Sequence, residues 1–176
     1  MEQKAPGCIA DVIDRMDAIS AALPVQDGVR AFNDMYLETT RQVGLAVANL
    51  VFSDAVFLDR LDVRFAELYF SALEAHEAGQ GGSPRCWSAL FDARSSGDVH
   101  PLQFALAGMN AHISYDLPRA LVSTVEEFGG DLDDDSVRRD FLAVNQVLAE
   151  TQPLIKDVLL SGSLAELDES MGKVDD

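Results

Sequence analysis

His112 and Asp116, within the stretch GMNAHISYDLPRAL that runs from Gly108 to Leu121, are the two residues of this sequence whose types and spacing could do chemistry. Four positions apart on a helix, an imidazole and a carboxylate lie one turn apart on the same face, close enough to hydrogen-bond. A carboxylate so placed orients the ring and fixes its tautomer. The ring can then carry a proton near neutral pH, because its unperturbed pKa is about 6.5. The same HxxxD spacing offers a nitrogen and an oxygen to one metal ion, with Asp62 as a third ligand. It also suits a buried pair that only pins helices together. On the residues alone these three uses stay open.

Helices must position this pair, because hydrophobic periodicity of three and four dominates the sequence and nothing alternates at the period of a strand. The fold class expected is all-α, a single bundle of seven or eight helices around a central buried helix over about 101–117. A first helix is expected over 8–23, stopped by Pro24, and a second over about 28–50 with Phe32, Tyr36, Val43 and Val47 on one face. Ser53 or Asp54 can cap a third that runs to about 78. AGQGGSP then breaks the chain, and Pro84 opens a short helix holding Trp87, Leu90 and Phe91. Pro101 starts the central helix and Pro118 should kink or end it, since its ring clashes with the carbonyl four residues back. A shorter helix to Phe128, an acidic turn GGDLDDD, a strong helix over 136–150 and another over 153–160 complete the expected domain, residues 1–160. Residues 161–176 read as an acidic, frayed tail.

On the central helix Leu102, Ala105, Leu106, Met109, Ile113 and Leu117 form the expected inward face, with His112 and Asp116 within or beside it. A buried polar group without a partner costs roughly 1–3 kcal/mol, so other helices should supply matching groups. Asp62 lies beside Phe65 and Tyr69, Asn33 accompanies Tyr36 and Thr40, and Asn145 sits amid Phe141, Val144 and Leu148. A bundle with such a polar centre is a place for a ligand, a metal or an acid and base pair.

Composition narrows the partners. Thirty acidic against 13 basic residues give a net charge of −17, a field that repels phosphate backbones and anionic lipid heads. Neither nucleic acid nor insertion into a membrane is expected. The longest run free of Asp, Glu, Lys and Arg, between Asp98 and Asp116, includes Pro101, Gln103, Asn110 and two histidines, which suits a buried core helix better than lipid. No secretory signal is recognised at the N-terminus, and Cys8 and Cys86 form no CxxC pair, so a cytoplasmic protein with reduced thiols is expected. DLDDD lacks the order of an EF-hand loop, and no phosphate-binding GxxxxGKS or nucleophile GxSxG is present.

The segments FNDMYL, LDVRFAELYF, PRCWSALFDAR, PLQFALAGMNAHISYDLPRAL and DFLAVNQ resemble those of a bacterial domain-of-unknown-function family with a central GMNAHINxDL signature. The resemblance extends from about Phe32 to Gln146. It implies that Asn110, His112, Asp116 and Leu117 occupy signature positions, with Trp87, Asp62, Asp140 and Asn145 in flanking motifs. Ser114 departs from the family's asparagine. A weaker, local HxxxD similarity links the pair to the zinc-dependent phospholipase C and nuclease superfamily, whose enzymes use many more histidines than the three here.

The expectation drawn from these readings is a cofactor-free acid and base enzyme of isomerase, cyclase or lyase type. It would act on a small, mostly apolar metabolite held among the helices. His112 and Asp116 are the catalytic candidates, as proton carrier and orienter, and Asn110, Asn145, Tyr36, Asp62 and Trp87 the substrate-binding ones. No metal is expected, and a homodimer is left open. The alternatives are a small-molecule-binding or protein-interaction domain without turnover, and a metal-dependent hydrolase using His112, Asp116 and Asp62.

Overall fold

Prolines and capping side chains set the helix ends near their expected places. The computed structural model describes residues 5–79 and 81–150. Among these, α1 spans Ile9–Ala22, α2 Gly28–Ala48, α3 Ala55–Glu77, α4 Arg85–Ala93 and α5 Pro101–Ala111. A π-helical turn, His112–Asp116, follows α5 directly and leads into α6, Leu117–Phe128. The chain is helical again over 135–150, and the described residues contain no strand, so the fold is all-α as expected. Six α-helices are complete among the described residues, fewer than the seven or eight expected. The helix expected over 153–160 and the acidic tail lie outside them.

Each cap has a physical cause. Asp27 accepts the Val29 N–H at 2.8 Å and Asp54 the Phe57 N–H at 2.9 Å, each supplying an acceptor to an amide with no partner inside its own helix. Before α5, His100 Nδ1 accepts from the Leu102 N–H, and the Gln103 side chain accepts from the His100 N–H at 2.9 Å. Gly129 ends α6 in the left-handed region, φ 66°, a conformation that suits a residue without Cβ.

Two apolar clusters share the molecule. The first joins Val12 and Met16 of α1, Phe32 and Met35 of α2, Val63, Tyr69 and Phe70 of α3, Trp87 and Phe91 of α4, and Phe104 of α5. The second gathers Phe57, Leu58 and Leu61 at the start of α3 with Ala120 and Val125 of α6, and Val137, Ala143 and Val144 pack against it. Since α3 runs through both, it fixes the distance between them. Asp140, 3% exposed, accepts the Ser53 and Asp54 N–H groups at 2.8 Å each and so ties the 135–150 helix to the turn before α3.

The inward face of α5 differs from the expected one. Leu102, Leu106 and Ile113 are exposed, at 40%, 57% and 43%, while Phe104, Ala105, Gly108 and Ala111 are buried. The reason is Gly108. A Cβ there would stand 2.4 Å from Phe32 Cδ2, so only a bare backbone lets α5 settle this close to α2, and that contact sets which side of α5 faces in. Buried positions then recur every four residues, at Phe104, Gly108, His112, Asp116, Ala120 and Thr124.

Candidate functional site

Pro118 does not stop the helix. It lacks the N–H that an α-helix would use, and its ring excludes the carbonyl four residues back. The chain responds by widening the preceding turn, and the Leu117 N–H donates to the His112 carbonyl, five residues back instead of four. This keeps His112 and Asp116 on one inward face.

His112 is wholly buried and Asp116 1% exposed. Asp116 Oδ2 accepts the indole N–H of Trp87 at 2.8 Å and lies 2.9 Å from His112 Nδ1. An oxygen that accepts from indole is an acceptor for the imidazole as well, which puts the ring proton on Nδ1 and leaves a lone pair on Nε2. Aromatic rings enclose the imidazole. Phe65 stacks on it with centroids 3.5 Å apart and planes 5° apart, Tyr36 meets it at 4.5 Å and 70°, and Phe32, Tyr69 and Trp87 stand further out. Burial lowers the His112 pKa from the usual 6.5 to about 4, against the opposing pull of the Asp116 hydrogen bond and charge. The ring is therefore neutral at pH 7.

Beside it lies a cavity of about 170 Å³, lined by Tyr36, Thr39, Thr40 and Val43 of α2, Leu58, Leu61, Asp62 and Phe65 of α3, Met109, His112, Ile113 and Leu117 of the α5–α6 rod, and Phe141, Val144, Asn145 and Leu148 of the 135–150 helix. Most of these are apolar. Yet Tyr36 Oη, Thr40 Oγ1, Asp62 Oδ2 and His112 Nε2 are all buried without a hydrogen-bond partner, and all four belong to cavity-lining residues. Nδ1 is turned to Asp116, which is not in the lining, while Nε2 has no protein partner.

Asp62 takes none of the partners its neighbourhood in the sequence suggests. Arg64 pairs with Glu127 and Arg41 with Asp17. Burial, and then the charge of Asp59, raise the Asp62 pKa from the usual 3.8 to about 7. Tyr36 is pushed well above the ordinary phenol value, first by burial and then by the Asp62 charge, against a smaller opposing pull from the Thr40 hydroxyl, and so keeps its proton.

Of the site residues expected from sequence, the structure brings His112, Tyr36, Asp62 and Asn145 to one cavity, with Asn145 on its exposed side. Trp87 is fully buried behind Asp116 and lines no part of it. Asn110 is exposed on the outside of α5, where its Oδ1 accepts from the Ser114 hydroxyl at 3.3 Å. Asn33, the other inward amide, is satisfied: its Nδ2 donates to the Met16 carbonyl and the Ser20 hydroxyl, and its Oδ1 accepts from Tyr69. Sequence reasoning placed Phe65 near Asp62 but missed its stacking on His112, for which the spacing of 62, 65 and 69 on α3 was the available signal. Among the described residues no group of three or more His, Cys, Asp or Glu could hold a metal ion, so Asp62 does not join His112 and Asp116 as a third ligand.

These features define an all-α protein with a buried, carboxylate-oriented histidine at the wall of a mostly apolar cavity. The chain belongs to DUF5995, a family of unknown function, which matches residues 9–176. No curated protein and no solved structure matches it. No helix among the described residues is long and apolar enough to cross a membrane.

Proposed function

We propose that the protein binds a small, mostly apolar molecule in the cavity between α2, α3, the α5–α6 rod and the 135–150 helix, and moves a proton on it. The observation that carries this reading is the convergence of four unpartnered polar atoms, on Tyr36, Thr40, Asp62 and His112, at one otherwise apolar cavity. Each costs roughly 1–3 kcal/mol while it stays unpaired, a cost that a ligand with matching groups removes. His112, neutral and held by Asp116, offers the Nε2 lone pair, but with its pKa lowered from the expected neutral range to about 4 it is a weaker base than Asp62. Asp62, with a pKa of about 7, is the cavity group that can give or take a proton near neutral pH. Proton removal at one position and return at another is the chemistry of an isomerase, and the same pair serves an elimination or a cyclisation.

A second reading, binding without turnover, is favoured by one observation. His112 has no exposed surface, so a ligand reaches Nε2 only after a neighbouring side chain moves.

One experiment separates the two. Small molecules that copurify with the protein from its own cells are extracted, identified by mass spectrometry and returned to the purified protein in D2O. A proton-transfer enzyme washes deuterium into its ligand. In His112→Gln the exchange should fall by roughly 10²- to 10⁴-fold with the helical circular dichroism retained. A ligand that binds and takes up no deuterium supports the binding domain instead.

A further inference from the structure

Resting on the reading of this cavity as a binding site, we infer that its ligand is a neutral, single-ring molecule bearing a hydroxyl group, an alcohol or phenol, whose O–H donates to His112 Nε2. Three observations lead there. The first is size. A cavity of about 150 Å³ lined by aliphatic and aromatic side chains accepts benzene, so the 170 Å³ here takes one ring with one or two further heavy atoms.

The second is the sense of the unpaired polar atoms. Since Nδ1 donates to Asp116, Nε2 is an acceptor only and calls for a donor on the ligand. Tyr36 keeps its phenolic proton, and the nearby Thr40 hydroxyl pulls on it without closing a hydrogen bond, so it has an acceptor still to gain. A hydroxyl is donor and acceptor in one group and satisfies both. A carbonyl or an ether oxygen leaves Nε2 unpaired.

The third is charge. An anion would enter a wall that already holds Asp62, on a chain of net charge −17. A cation would gain Asp62 but surrender most of its hydration in a lining whose surface is mainly hydrocarbon.

Phenol, toluene and anisole test this on the intact chain, because they share the ring and differ in whether the substituent donates. Titration calorimetry at neutral pH should give phenol an affinity about threefold to tenfold above toluene and anisole, the worth of one ordinary hydrogen bond. His112→Phe should erase that preference. Because this variant also strands Asp116, a second measurement is made on the unaltered protein. The ¹⁵N signal of His112 Nε2 should move when phenol is added and stay put with toluene.

Equal affinities, or an Nε2 signal unmoved by bound phenol, overturn the inference and leave an apolar binding cavity standing. If none of the three binds, the cavity is not a ligand site and the proposed function falls with it.

Discussion

Asp62→Asn isolates what it costs the fold to keep a carboxyl in the cavity wall. Between the usual 3.8 and about 7, the folded protein holds a proton that the unfolded chain has released. Over that window stability therefore falls as pH rises. A rise of about 3 in pKa, at about 1.36 kcal/mol for each, amounts to about 4 kcal/mol by pH 8, with little loss to solvent screening because Asp62 is only 8% exposed. His112 acts in the opposite sense. Between about 4 and 6.5 the unfolded chain takes a proton that the folded one refuses, so stability is lost as pH falls through that window, by about 3 kcal/mol.

In the intact protein the two slopes nearly cancel below pH 6.5, and neither is visible. Asparagine removes one of them. Urea unfolding of both proteins at several values between about pH 4 and 8 should show equal stability at the acid end. The advantage of the variant should grow to about 4 kcal/mol at the alkaline end, with its own curve rising between about pH 4 and 6.5. A constant offset between the curves would refute the reasoning, since it would mean that Asp62 is as ionised in the folded chain as in the unfolded one. A gain in stability from deleting this charge would also fit a group retained for function at the expense of the fold.

Two further outcomes follow from the α5–α6 rod. Gly108→Ala puts a Cβ 2.4 Å from the buried Phe32 ring and should cost about 1–3 kcal/mol, read as a Tm lower by about 2–4 °C for each kcal/mol. Gly97→Ala, where a Cβ meets nothing within 4 Å, is the matched control and should change Tm little. Pro118→Ala restores a backbone donor and should leave Tm unchanged or higher, while the low-field Nδ1–H proton resonance of His112 shifts or broadens as the π turn tightens; an unaltered resonance would show that the proline does not set the turn.

The helix starts were legible because their causes are local. Asp54 and the prolines at 84 and 101 act within one turn of where they stand. The polar convergence was legible too, since Tyr36, Asp62, His112 and Asn145 each interrupt an apolar face at helical spacing, and all four meet at the cavity. The orientation of α5 was not. Its strongest hydrophobes, Leu102, Leu106 and Ile113, suggest one face, and the fold buries another because Gly108 and Phe32 fit together across two helices. A side chain of no size decides that contact, and a hydrophobicity pattern gives it no weight. Asn110 went astray on the same rotation. Trp87 was noticed as an anchor, but its bond to Asp116 joins residues 29 apart in sequence and only the fold brings them together.

The π turn lets the rod between Gly108 and Ala120 hold one residue more than a plain α-helix spanning the same distance. Ile113, Ser114 and Tyr115 are exposed, and exchanging them leaves the backbone count intact. Losing one of them removes the extra residue that the wide turn accommodates, so Asp116 and Ala120 keep nearly their directions, while Pro118 comes to stand in an ordinary α turn against the carbonyl four residues back. In the gene, a three-base deletion within these codons would therefore strain the rod at Pro118 without turning its far half, and it should be tolerated best in a chain that has also exchanged that proline.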